Sequence, residues 1–358
     1  MSARCEVLVA SMHDLRHFGT LLRGVNFVDF ATMMITNGGL TVYVEESSLV
    51  AAAAYVPAEI FDEFTYSPPI KSPSASPTPP GPSQTEEATV LEFPLHTLID
   101  SLSIFSTGSA PSISEGRAQN RRWVRDREHG GDDDVPRGRI DAYFGATAGK
   151  TVGMRLSYAG KGHPLSLLIA EGSAEPDAKF EVTTYTVDAQ PDVSFDIEET
   201  LLQLILKSSW LRDALSEIDP SCEKITLMGS PPEQSELARR PRATAAAPVF
   251  RIQAQGVFGS TEMDYPNDRE VLETVHCTKP VSFSYRVAHI ARAQRALQNS
   301  SKTSLRIGTD GTMNMQFLVS SPLARGGTSE AFISFRVNHI YQYLNTIDSF
   351  YGFSVPPS

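Results

Sequence analysis

Several residue groups in this sequence could do chemistry if a fold brought their functional atoms together. Gly145, Gly149, Lys150 and Thr151 are the residue types of a phosphate-cradling loop, in which backbone N–H groups and a lysine hold a nucleotide's phosphates. That loop needs four residues between its glycines and a strand-to-helix setting; here three residues intervene, and the alternating Val152, Met154, Leu156 and Tyr158 predict a strand instead. Asp132, Asp133 and Asp134 offer hard oxygen ligands for a divalent ion. They sit between Gly130-Gly131 and Pro136, where no rigid element aims the carboxylates at one point, so a solvated loop is expected. The histidines (13, 17, 96, 129, 163, 276, 289 and 339) show neither HxH nor HExxH spacing. His276 and Cys277 are neighbours on an expected strand and point to opposite faces. No GxSxG elbow occurs. The expectation is no catalytic residue, no metal and no cofactor.

Other chemistry rests on charge, and charge must be placed by elements. The chain has 358 residues, 41% of them hydrophobic, with 31 Lys plus Arg against 42 Asp plus Glu for a net charge of −11. That is enough for one to three domains and too apolar for a mainly disordered chain. No apolar run approaches the roughly 18 residues of a membrane span, and no signal peptide is read at the start. Cys5, Cys222 and Cys277 lie far apart, which excludes a disulfide framework and fits a reducing compartment. The acidic balance argues against a broadly basic nucleic-acid surface.

The expected organisation is a first domain at 1–187, a connector at 188–200, a second domain at 201–338 and a variable tail at 339–358. Proline-rich 67–87 and charge-balanced 107–150 read as insertions in the first domain, and 230–247 as a loop insertion in the second. Strands dominate elsewhere, punctuated by hairpin signals at Asn37-Gly38-Gly39 and Glu46-Ser47-Ser48. Four short helices are expected at 13–23, 95–105, 209–218 and 287–298, each with one apolar stripe. The order of elements occurs twice, so the fold class is α+β: a duplicated unit of two helices on an antiparallel sheet.

The polar sides of these helices carry most of the fixed cations that phase together. Arg16, Thr20 and Arg23 share a side of the first helix, Lys207 and Arg212 mark the third, and His289, Arg292 and Arg295 repeat along the fourth. A sparse basic surface of this kind contacts phosphates without reading bases. The second helix offers His96, Asp100 and Ser103 instead.

Leu15-Arg16, Asn37-Gly38-Gly39-Leu40-Thr41-Val42, the runs 58–64 and 98–105, Leu156-Ser157-Tyr158, Gly162-His163-Pro164-Leu165, the run 211–219 and Asp264-Tyr265-Pro266 together resemble one family. It is the Rad-one/Rec-one family of checkpoint sliding-clamp subunits, relatives of proliferating cell nuclear antigen. The resemblance implies the sliding-clamp fold, with two similar domains whose helices line the lumen of a ring. It implies a heterotrimer with Rad-nine-type and Hus-one-type subunits, placed around double-stranded DNA at damage sites by a checkpoint clamp loader. The ring acts in the nucleus, without a membrane, as a platform for checkpoint signalling and repair enzymes. DNA-facing residues would be Arg16, Thr20, Arg23, Lys207, Arg212, His289, Arg292 and Arg295. Ring closure through edge strands would use Phe180, Val182 and Thr184 on one side and Ser260, Glu262 and Asp264 on the other. The connector residues Val193, Phe195 and Ile197 would dock partners. Two alternatives stand beside this reading: a 3′–5′ exodeoxyribonuclease, since the family has carried that label, and a homotrimeric replicative clamp.

Overall fold

The computed structural model describes residues 6–68, 88–106, 152–170, 178–187, 195, 198–232, 248–323 and 327–340. Most of the expected insertions (69–87, 107–151 and 233–247), most of the connector (188–194, 196–197) and the tail from 341 lie outside these residues.

The first half runs β1 (Leu8–Met12), α1 (Leu15–Gly24), β2 (Phe30–Thr36), β3 (Gly39–Glu46), β4 (Val50–Pro57), a 3₁₀ turn (Ala58–Ile60), β5 (Glu63–Tyr66), β6 (Thr89–Pro94), α2 (Leu95–Ser106), β7 (Gly153–Tyr158), β8 (Leu165–Ala170) and β9 (Ala178–Val182). The second half repeats the series. It comprises β10 (Thr200–Lys207), α3 (Ser208–Ser216), β11 (Lys224–Gly229), β12 (Phe250–Gly256), β13 (Gly259–Tyr265), β14 (Leu272–Cys277), β15 (Val281–Arg286), α4 (Val287–Ala291), α5 (Gln294–Gln298), β16 (Lys302–Gly308), β17 (Met313–Pro322) and β18 (Thr328–Val337).

Sheet topology repeats with it. The order β5-β1-β7-β8-β9 recurs as β14-β10-β16-β17-β18, and β4-β3-β2-β6 recurs as β13-β12-β11-β15. One difference separates the halves. β18 pairs with β4, from Phe332 opposite Tyr55 to Val337 opposite Val50, fusing two runs into a nine-stranded sheet. Their repeats, β9 and β13, are end strands.

Local chemistry explains most elements. Alternation buries Met33 and Ile35 in β2 and Leu40, Val42 and Val44 in β3. The β3–β4 turn holds Ser47 and Ser48 at φ 54° and 57°, the left-handed pair that a tight hairpin needs. Asp14 caps α1 by accepting from the Arg16 N–H at 3.0 Å, so the helix starts at Leu15, two residues after the sequence-based expectation. Leu15, Phe18, Leu21 and Leu22 form its buried stripe. The helix expected at 287–298 is two pieces. Arg292 N–H and Ala293 N–H donate to the carbonyls of His289 and Ile290, three residues back, tightening the turn between α4 and α5. The helices meet in a row α2–α1–α5–α3. Gly24 closes α1 where a β-carbon would lie 2.5 Å from Ile333 Cδ1 of β18, so a larger residue there would force the Ile333 side chain to shift. One buried apolar cluster runs through both halves.

Candidate DNA-facing helices and open sheet edges

The side chains that phase as one basic face have different roles. Arg16 is half-exposed but lies against its own cap: Nε donates to Asp14 Oδ1 at 2.9 Å and Nη2 to Oδ2 at 2.6 Å. Burial pushes the Asp14 carboxyl up, yet the hydrogen bonds and charge of Arg16 outweigh it and hold the acid below its usual range. Thr20 Oγ1 donates back to the Arg16 carbonyl at 2.8 Å, and Arg23 Nη2 donates to Ser103 Oγ of α2 at 3.2 Å. Arg292 makes a bidentate contact with Glu46 at the end of β3, Nε to Oε2 at 3.1 Å and Nη2 to Oε1 at 3.0 Å. Arg295 Nη1 reaches the Asn26 carbonyl at 3.5 Å. Both therefore tie the second half to the first. His289 lies nearby with Nδ1 buried and without a hydrogen-bond partner among the described residues. Burial first, then the charge of Arg286, lowers its pKa and favours the neutral ring. That leaves two cations less engaged. Lys207 is exposed with no ion-pair partner among the described residues, and Arg212 is 3.8 Å from Asp213. Most cations of the sparse basic surface expected from helix phasing thus also hold a cap or a joint of the fold.

At the sheet edges the expected residues divide by side-chain direction. Phe180 packs edge-on against Phe105, with ring centroids 6.4 Å apart, and Val182 is buried. Thr184 lies beyond β9 and donates to the His163 carbonyl at 2.8 Å. What β9 presents outward is its backbone edge, together with Lys179 and Glu181, which pair at 2.6 Å. On β13, Ser260, Glu262 and Asp264 are exposed. Arg251 of β12 pairs with Asp264 at 2.6 Å and with Glu262 at 3.4 Å. Val257 and Phe258, at the β12–β13 turn, are 82% and 87% exposed. Of the connector residues, half-buried Phe195 lies beside Gly308, while Val193 and Ile197 fall outside the described residues.

Sequence reasoning missed Ile104 of α2, which is 61% exposed. Counted from the ends of β6 and β15, it holds the position that Ala296 holds in the second half. Ala296 is fully buried, against Gly24. The apolar residue at this helix position is covered in one half and bare in the other.

Elsewhere, Cys277 is buried, its Sγ donating to the Lys279 carbonyl at 3.1 Å, and burial raises its pKa. His276 is exposed on the opposite face of the strand. Among the described residues, no group of three or more His, Cys, Asp or Glu is placed to hold a metal ion. No helix among them is long and apolar enough to cross a membrane.

Compared with known families, residues 7–319 match the one described as repair protein Rad1/Rec1/Rad17. The chain belongs to the Rad1/Rec1/Rad17 family. Among its relatives in this family, the cell cycle checkpoint protein RAD1 of Mus musculus is 27% identical over 312 residues, covering 87% of this chain and 86% of that protein. The DNA repair exonuclease REC1 of Mycosarcoma maydis is 27% identical over 232 residues, covering 60% of this chain and 49% of that protein. Among solved structures, proliferating cellular nuclear antigen from Entamoeba histolytica superposes with a TM-score of 0.57 at 12% identity, covering 93% of this chain and 99% of that one. This Rad1/Rec1/Rad17 chain therefore has the sliding-clamp fold, and its repeated sheets and helix row are the two halves of a clamp subunit.

Proposed function

We propose that this chain is one subunit of a heterotrimeric checkpoint clamp that encircles double-stranded DNA at damage sites, in the nucleus, as a platform for checkpoint signalling and repair. One observation carries the reading: the chain contains one closed joint, β4·β18, and the same joint left open as its two halves, β13 and β9. Open strand edges are templates for pairing. A ring arises when each subunit repeats its internal joint on a neighbour. The internal register transfers directly, because β9 pairs with β8 as β18 does with β17, and β13 with β12 as β4 does with β3. It sets Val182 opposite the position that Gly259 holds here, and Phe180 opposite that of Thr261. Ring closure on this side uses the β9 backbone, since Phe180 and Val182 point into the subunit.

The neighbours in this reading are Rad-nine-type and Hus-one-type subunits, and a checkpoint clamp loader opens the ring onto DNA. Encirclement retains DNA topologically, so a few cations suffice and strong ionic binding would impede sliding. Lys207 and Arg212 are the lumen contacts we favour; Arg16, Arg23, Arg292 and Arg295 add charge while serving their joints. Val193, Phe195 and Ile197 remain the proposed docking stretch of the connector. We read the subunit as non-enzymatic. Asp14 is taken up by Arg16, and Asp213 lies beside Arg212, so these carboxylates are not converging ligands of a nuclease site.

Native mass measurement tests this. The chain mixed with the two partner types should form a 1:1:1 complex. A trimer of this chain alone would favour the replicative-clamp alternative, and metal-dependent DNA degradation lost on changing Asp14 or Asp213 would favour the exonuclease.

A further inference from the structure

A groove of about 940 Å³ lies beneath the β12–β13 turn, between the α3–β11 loop and the start of α4. Pro220, Cys222, Val257, Val287, Ala288 and Ile340 give it apolar walls, and Lys224 and Arg286 stand at its polar side with Glu223. The volume falls within the roughly 300–1,000 Å³ range of clefts that hold a ligand. The chain itself delivers an occupant to it. After β18, Asn338 is fixed to the β3–β4 turn, its N–H donating to the Leu49 carbonyl at 3.0 Å and its Nδ2 to the Ser48 carbonyl at 2.7 Å. His339 then stacks edge-on against Phe283 and Tyr285, with centroids 5.1 and 5.9 Å away, and Ile340 enters the groove wall.

Eighteen residues of sequence follow, 341–358. Ile340, Tyr343, Leu344, Ile347 and Tyr351 recur at i, i+3, i+4, i+7 and i+11, the spacing of one apolar helix face. Asp348 is the segment's one charged residue, opposite in sign to Lys224 and Arg286.

We propose that residues 341–358 seat in this groove in the free subunit. A regulatory consequence rests on the ring reading above; the seating does not. Pro220 to Glu223 occupy the place in the second half that residues 26–29 occupy in the first, where Arg295 of α5 in the other half reaches the Asn26 carbonyl at 3.5 Å. A neighbour's α2-type helix would therefore arrive at the same rim, and the tail would yield to it on assembly.

Hydrogen exchange of the lone full-length chain, compared with the Leu344→Asp/Ile347→Asp double variant, tests the seating without any partner. Amides of 221–224, 255–258 and 286–288 should exchange about ten-fold faster in the variant, with the β4·β18 joint unchanged. Equal rates would overturn the proposal, as would protection that grows with protein concentration, which would identify a second copy as the occupant. Should the variant lose protection throughout the chain, carbodiimide coupling in the unmodified protein decides: an intramolecular Lys224–Asp348 amide supports the seating, and its absence refutes it. Failure of the ring reading would show instead as no complex with partner subunits while the protection persists.

Discussion

The joint between β4 and β18 and the pair of open edges on β13 and β9 share a topology, but their residues differ. At the closed joint, Ala51 to Ala54 of β4 lie opposite Arg336 to Ile333 of β18, small residues admitting the buried Phe335 and Ile333. The corresponding run on β13 is Ser260, Thr261, Glu262 and Met263, and on β9 it is Glu181, Phe180, Lys179 and Ala178. The closed joint merges two cores, whereas the open edges carry charge, which keeps an unpaired strand soluble. The helices show the same contrast. Ala296 is buried beside Gly24, and its repeat Ile104 stands in solvent. An exposed residue at a position buried in the other half marks a missing partner better than exposure alone, since scattered surface apolar residues are common.

Four tests would break or sharpen this comparison. Phe335→Ala, at the closed joint, should cost about 3–5 kcal/mol in denaturant unfolding, whereas Phe180→Ala, half-buried at the open edge, should cost about half as much. Equal losses would mean that the open edge is already part of the core. Ile104→Asp should leave the lone subunit within about 0.5 kcal/mol of the parent. The same change should weaken assembly with partner subunits by about 2 kcal/mol, roughly 30-fold, in a titration followed by light scattering. Arg292→Ala should cost only about 0.5–1 kcal/mol, because the Glu46 pair is half-exposed; a double-mutant cycle with Glu46→Ala at low and high salt should show the coupling screened away. The smallest effect concerns pH. The folded-state pKa of Asp14 lies below its ordinary 3.8, so its contribution is complete above that value and is lost as pH falls through the folded one. Urea midpoints of Asp14→Asn, which keeps a capping oxygen, should lack that part of the acid dependence.

Much of this was legible in the sequence because local pattern decided it. The apolar stripe of α1, the Glu46-Ser47-Ser48 turn and the repeated order of elements are local facts. Alternation also indicated that Phe180 and Val182 point inward while Lys179 and Glu181 point out, a signal that was there to be used. The short β5 was not legible, since four residues give little periodicity. Residues 26–29 leave α1 as a loop, with Phe27 packed on Phe335 at 5.9 Å. The roles of the cations were beyond reach. Helix phasing shows which way Arg292 points, but Glu46 is 246 residues away in sequence, and only the tertiary fold brings its carboxylate to the guanidinium. Ile104 was hidden for the same reason: its exposure is defined by what the other half does at that position.

The central claim is that the open edges are one joint shared between neighbours, and site-directed disulfide formation at the transferred register tests it most directly. A cysteine replacing Glu181 should cross-link, within the assembled ring, to a cysteine at the neighbouring subunit's position equivalent to Ser260. Cross-linking at that position and not two residues to either side is the expected result. A ring that assembles without this link, or links only in another register, would contradict the account.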